Sequence, residues 1–248
     1  MAQIRIEADV DLDQPVLVEG LPGVGLVGKI ATDHIVDTLD MTYIGNVDCD
    51  GLPKIAIYGE DTRPVEPPVR LYADEGRDLL ALQSDIPVSR DTASDFARAV
   101  TDWLQEMDAF PLFLSGLPME DHEPGQVPGV FGVATGDGGT LLDENNVDSP
   151  TERGVIGGPT GALVNRADAV GIDSCSLIVE SDPQFPDPAA ARQLIENGIE
   201  PLAKITVDTD DLVERAEEIR EQKEKLAKRM QQASEDESSQ AQPLRMYQ

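Results

Sequence analysis

Basic residues are scarce in this chain. Across 248 residues, 19 lysines and arginines face 48 aspartates and glutamates, a formal net charge of −29 with histidine neutral. Such a balance repels polyanions, which excludes nucleic acid and anionic membrane surfaces as partners. Only two cysteines occur, Cys49 and Cys175, with no CxxC or other ligand spacing. That argues against a disulfide framework or a thiolate metal centre and predicts buried, inert thiols in a reduced compartment. There are two histidines, His34 and His122, and no GxSxG, so the usual parts of a hydrolytic triad are missing. No stretch approaches ~18 uninterrupted apolar residues, and the first ten residues hold no basic segment followed by an apolar one. A soluble, cytoplasmic protein with no cofactor and no metal is expected.

The acidic residues that are present are spread through the whole length, unlike an interaction tail that gathers them in one block. Concentrated salt, with a Debye length of ~3 Å at about 1 M, screens a charge of this size. The composition therefore points to the cytosol of a salt-accumulating halophile.

Short runs rich in Val, Ile and Leu predict strands at 15–19, 43–47, 54–58, 69–73, 79–83, 111–115, 130–134 and 176–180. Helical patterns fall at 26–39, 89–107, 162–169 and 188–202. Their alternation predicts an α/β layered domain with a mixed sheet, and the strands crowded between 43 and 83 predict an antiparallel portion. The organisation expected is an α/β domain over 1–207, a charged helix over 208–232 and a tail over 233–248.

Two glycine-rich turns each lead into a helix. In the first, Gly20, Pro22, Gly23, Gly25 and Gly28 follow an apolar strand, and Gly23, Gly25 and Gly28 spell GxGxxG, with Asp48 and Asp50 about 20 residues on. Formally this is a dinucleotide fingerprint, although Lys29 is the one cation near it. The second turn holds Gly157, Gly158 and Gly161. Both turns admit two readings: glycines that let helix and sheet approach closely, or two turns lining one ligand crevice at the carboxyl ends of strands. The second reading would make the chain a small-molecule or nucleotide-binding enzyme. His122, among Glu120, Asp121 and Glu123, is a weak metal candidate, and His34 reads as a packing or surface residue.

The charged helix carries Leu212, Ala216, Ile219, Lys223, Leu226 and Met230 at alternating four and three spacing, a seam of about three heptads. It suits either docking on its own domain or pairing between subunits. Residues 233–245 are rich in Ser, Glu, Gln and Asp and read as a disordered spacer. The sequence then closes on Met246, Tyr247 and Gln248, an uncommon placement where only 4% of residues are aromatic.

Taken together, the first glycine turn (residues 20–28), Ser115-Gly116-Leu117-Pro118, Gly154-Val155-Ile156-Gly157-Gly158 and Glu180-Ser181 with Phe185-Pro186-Asp187-Pro188-Ala189-Ala190 resemble the archaeal proteasome assembly chaperone family (the proteasome assembly chaperone 2 superfamily). The likeness runs over about residues 4–205. It implies a three-layer α/β/α fold similar to nucleoside phosphorylases but without their catalytic residues, and assembly into homo-oligomers. It also implies that Met246, Tyr247 and Gln248 form a hydrophobic-tyrosine-any docking motif for pockets between α-subunits of the 20S proteasome.

Overall fold

The computed structural model describes residues 2–58, 64–119 and 127–214. Eight strands form one mixed sheet: β1 (Ala2–Ile6), β2 (Val16–Gly20), β3 (Thr42–Cys49), β6 (Val69–Asp74), β7 (Leu79–Ser84), β8 (Phe110–Pro118), β9 (Val130–Thr135) and β10 (Ser174–Ser181). A separate hairpin joins β4 (Ile57–Tyr58) to β5 (Val65–Glu66). The sheet order is β1-β3-β6-β7-β2-β8-β10-β9. Its inner strands β7, β2, β8 and β10 run parallel, while β1, β3 and β6 on one side and β9 on the other are antiparallel. The meander expected between 43 and 83 is therefore real. Inner strands are covered on both faces, which is why Leu79, Leu80, Ala81 and Leu82 are all buried and show no polar alternation.

Helices cover both faces. On one lie α1 (Val27–Thr38), α3 (Gly138–Glu144), α5 (Pro188–Leu194), a π turn over Ile195–Ile199 and α6 (Glu200–Ala203). They bury Val27, Ile35, Leu142, Leu194 and Ile199 against Leu114, Leu177 and Val179. On the other lie α2 (Arg90–Glu106) and α4 (Gly158–Val170), with Phe96, Val100, Leu104, Leu163 and Ala167 against Leu17, Leu82 and Phe113. Along α2 the buried positions recur at three and four residues, one stripe of a helix whose other face is wet. Each large apolar side chain so buried contributes about 1.5–3 kcal/mol before entropy is charged against it. The result is the expected three-layer α/β/α arrangement.

The core does not stop at residue 207. Val207 and Leu212 join the cluster beneath α1 and α5, and a helix begins at residue 210. Its root is tied down by the Thr209 hydroxyl, which donates to Glu196 Oε1 at 2.6 Å, and by His34 Nε2, 2.6 Å from the Asp208 carbonyl.

Candidate functional site

The carboxyl ends of the four parallel strands share one edge of the sheet, and the chain leaves β2 for α1 on one face and the neighbouring β7 for α2 on the other, the place where α/β folds open a crevice. The first glycine turn occupies that place. After Glu19 and Gly20 the chain passes through Leu21, the half-exposed Pro22 and the solvent-facing Gly23 into a tight turn over Val24–Leu26 and then α1. Gly25 has φ +60°, and a Cβ there would lie 1.9 Å from the Ser181 hydroxyl oxygen. Its carbonyl accepts from the Asp187 amide at 2.8 Å. Asp187 in turn caps α5 through the Ala190 amide and also accepts from the Asp182 amide and the Ser181 hydroxyl. On the inner side, Gly28 lies against Leu114 and Gly20 against Thr32. The crevice is thus filled by the protein's own side chains.

That filling removes the dinucleotide reading. Lys29 is bound to Asp33 at 2.7 Å and Asp85 at 2.8 Å, and Arg70 also reaches Asp85, so the cation of the loop is already neutralised. Asp48 and Asp50 follow on and just after β3, which β6 and β7 separate from β2. Asp48 is held by Arg5 and Lys54. GxGxxG here serves close packing of helix on sheet.

The second turn is open. Gly157 precedes the first residue of α4, Gly158 takes φ +64°, and neither has an atom within 4 Å of where a Cβ would point. Gly161 packs on the Ile156 carbonyl. Beside this turn lies a cleft of about 980 Å³, floored by Ser115, Phe131, Ile178 and Glu180 and walled by Val164 and Asp168 of α4. Glu180 accepts from the Gly129 amide at 2.8 Å. Val155, on the rim, is 95% exposed.

One residue links the two turns and was not expected. Glu19 is fully buried; its Oε2 accepts from the Leu114 amide at 2.9 Å and its Oε1 from the Thr160 hydroxyl at 3.0 Å. Burial pushes its carboxyl up to about 8, against the opposing pull of hydrogen bonds from Leu114, Thr160 and Leu21. The signal for it was a glutamate near the end of the otherwise apolar Val16-Leu17-Val18, directly before the first glycine turn.

Both cysteines are buried, and burial pushes the Cys175 thiol up to about 12. His34 is buried on α1 as a packing residue. Among the described residues no group of three His, Cys, Asp or Glu is placed to hold a metal ion, and no helix is long and apolar enough to cross a membrane. Of the seam positions, Leu212 is fully buried in its own domain. Ala216, Ile219, Leu226 and Met230 lie outside the described residues, as do His122, Met246, Tyr247 and Gln248.

Fold and site define an α/β/α domain whose first glycine turn is a packing device and whose second opens on a cleft. The PAC2 family model matches residues 17–227, and the chain belongs to the PAC2 family. An uncharacterised protein of Methanocaldococcus jannaschii is 30% identical over 222 residues, 89% of either chain. Among solved structures, Pyrococcus furiosus PbaA, an archaeal homolog of proteasome-assembly chaperone, superposes with a TM-score of 0.78 at 26% identity, covering 93% of this chain and 99% of PbaA. The fold is also that of Pyrococcus furiosus PbaB, an archaeal proteasome activator, with a TM-score of 0.75 at 24% identity over 91% of this chain and 98% of PbaB.

Proposed function

We propose that this protein is a non-enzymatic proteasome assembly chaperone or adaptor. What carries the reading is membership of the PAC2 family over residues 17–227 together with a fold shared nearly end to end with PbaA. The docking element in this proposal is Met246, Tyr247 and Gln248, inserted between α-subunits of the 20S proteasome. The tyrosine ring is a rigid amphipathic anchor, Met246 fills apolar space, and a terminal carboxylate pairs with a pocket cation. One tail buries little area, so affinity requires several tails on a homo-oligomer and a spacer long enough for each to reach its pocket. Because Leu212 is spent on its own domain, the seam available between subunits starts at Ala216. The division into a domain, a charged helix from 208 and a tail from 233 serves this geometry.

The test is capture of 20S α-subunits in concentrated salt by the intact chain, by Tyr247→Ala and by a chain lacking residues 246–248. The intact chain is expected to retain α-subunits and both variants to lose them. Equal capture by all three removes the tail from the mechanism. Capture by none removes the proteasome as partner.

A further inference from the structure

The two faces of the sheet are covered unequally where β9 and β10 lie. On the side of α3, α5 and the π turn these strands bury Gly132, Leu177 and Val179. The alternate positions Phe131, Val133 and Ile178 face the other way and stay half-exposed. Of the helices on that face, α2 packs on β1 and β3, while α4 packs on α2 and β8 and borders the cleft. The three apolar side chains are left as the cleft floor, with the exposed Val155 on its rim. An uncovered apolar floor of this kind marks an interaction site.

Charge decides what fits it. Glu152, Asp168 and Glu180 line the cleft against one cation, Arg153. An anionic ligand is repelled, and two copies meeting face to face here would set acids against acids. The matching occupant is a short apolar segment with a cation and no acid. Outside the described residues, one five-residue stretch has three large apolar side chains around a cation and no acid: 243–247, where Leu244, Met246 and Tyr247 flank Arg245, the one cation after Arg229. Residues 59–63 and 120–126 carry acids instead, Glu60 and Asp61 in the first and Glu120, Asp121 and Glu123 in the second.

The segment is also within reach. The described chain leaves the domain at 214, rooted by Val207 and Leu212 in the cluster beneath α1 and α5. On that side α5 packs on β10 and the π turn on β9, the two strands whose opposite face floors the cleft. Because β9 is the last strand of the sheet, the way from root to cleft passes round one edge, a path of about 30–40 Å from layers ~10 Å thick and strands ~4.8 Å apart. Residues 215–242 would span about 40 Å as a single helix and about 90 Å fully extended, enough in either case. A segment this short binds weakly from solution, but tethering supplies an effective concentration on the order of 1 mM, so a contact of about 0.1 mM affinity stays closed most of the time.

We propose that residues 243–247 seat in the cleft of their own chain, with the apolar side chains on the floor and Arg245 towards the carboxylates. The contact does not rest on the proteasome reading, and while it lasts it withdraws Tyr247 from any other pocket.

Paramagnetic broadening on the full chain, in concentrated salt and without proteasome, tests it. Cys49 and Cys175 are buried, so Gln248→Cys offers an accessible thiol for a nitroxide. The label is expected to broaden the amide signals of 131–133, 153–156 and 178–180, to spare those of β1, and to do so unchanged on about tenfold dilution. Met246→Asp with Tyr247→Asp, placed outside the domain core, is expected to cut the broadening about tenfold, and Val133→Asp on the floor likewise. Should Val133→Asp unfold the domain, the variants at 246 and 247 decide alone. The proposal is overturned if the cleft amides are not broadened, or if a folded variant broadens them as fully as the native sequence. It is also overturned if a nitroxide-bearing chain broadens an isotope-labelled chain that carries none, which puts the segment in a neighbour's cleft.

Discussion

At the scale of single residues, Glu19 sets a pH dependence of stability whose sign follows from its burial. Its carboxyl titrates near 4.5 in an unfolded chain and near 8 in the fold. The folded state therefore holds a proton that the unfolded state releases, and stability falls as pH rises from 4.5 towards 8, then levels. Glu19→Gln removes that dependence. Near pH 4.5 the two proteins should melt alike, and above pH 8 the variant should be the more stable, by on the order of 5 kcal/mol at most. Thermal melts across that range check it, and parallel curves would mean that Glu19 is ionised or wet in the fold. This residue was barely legible in the sequence. A glutamate at the end of a strand is normally a solvated one, and only the sheet order, which places β2 between β7 and β8, puts it in the dark.

Among the elements, those with strong periodicity were legible and those without it were not. Strands β2, β6, β7, β8, β9 and β10 and helices α1, α2 and α4 fall where their apolar patterns put them. Strand β1 was not expected, although Ala2, Ile4 and Ile6 alternate with polar residues at the period of a half-buried strand; the alternation is only five residues long. Helix α3 opens on Gly138 and Gly139 and is too short to show a period. The run at 54–58 gives only the two residues of β4, in a hairpin outside the main sheet, whereas the helix expected over 188–202 is continuous, with a π turn over Ile195–Ile199 inside it. The glycine turns were legible as turns, but the close packing opposite the first was not. A methyl at Gly25 meets the Ser181 oxygen in a left-handed backbone, so Gly25→Ala should destabilise by about 2–4 kcal/mol. Repeating it on Ser181→Ala should recover about 1 kcal/mol of that cost. Additive effects in denaturant melts would show that Gly25 and Ser181 are not in contact.

For the molecule as a whole, charge is the governing quantity. A net charge of −29 is self-repelling, because 48 acidic residues outnumber 19 basic ones even where ion pairs form, as at Asp33, Asp48 and Asp85. Raising potassium chloride from about 0.1 M to about 2 M should therefore raise the melting temperature by several degrees, through screening over a Debye length that shrinks from ~10 Å to under ~3 Å. A flat or falling curve would separate the acidity from salt adaptation. The composition made this legible at once, since charge needs no fold to be counted.

The placement of Leu212 has a further consequence. It roots the departing helix under α1 and α5, whereas the cleft opens beside α4 on the other face of the sheet. An eight-stranded wall stands between the two, so a substitution that reshapes the surface of one leaves the surface of the other untouched.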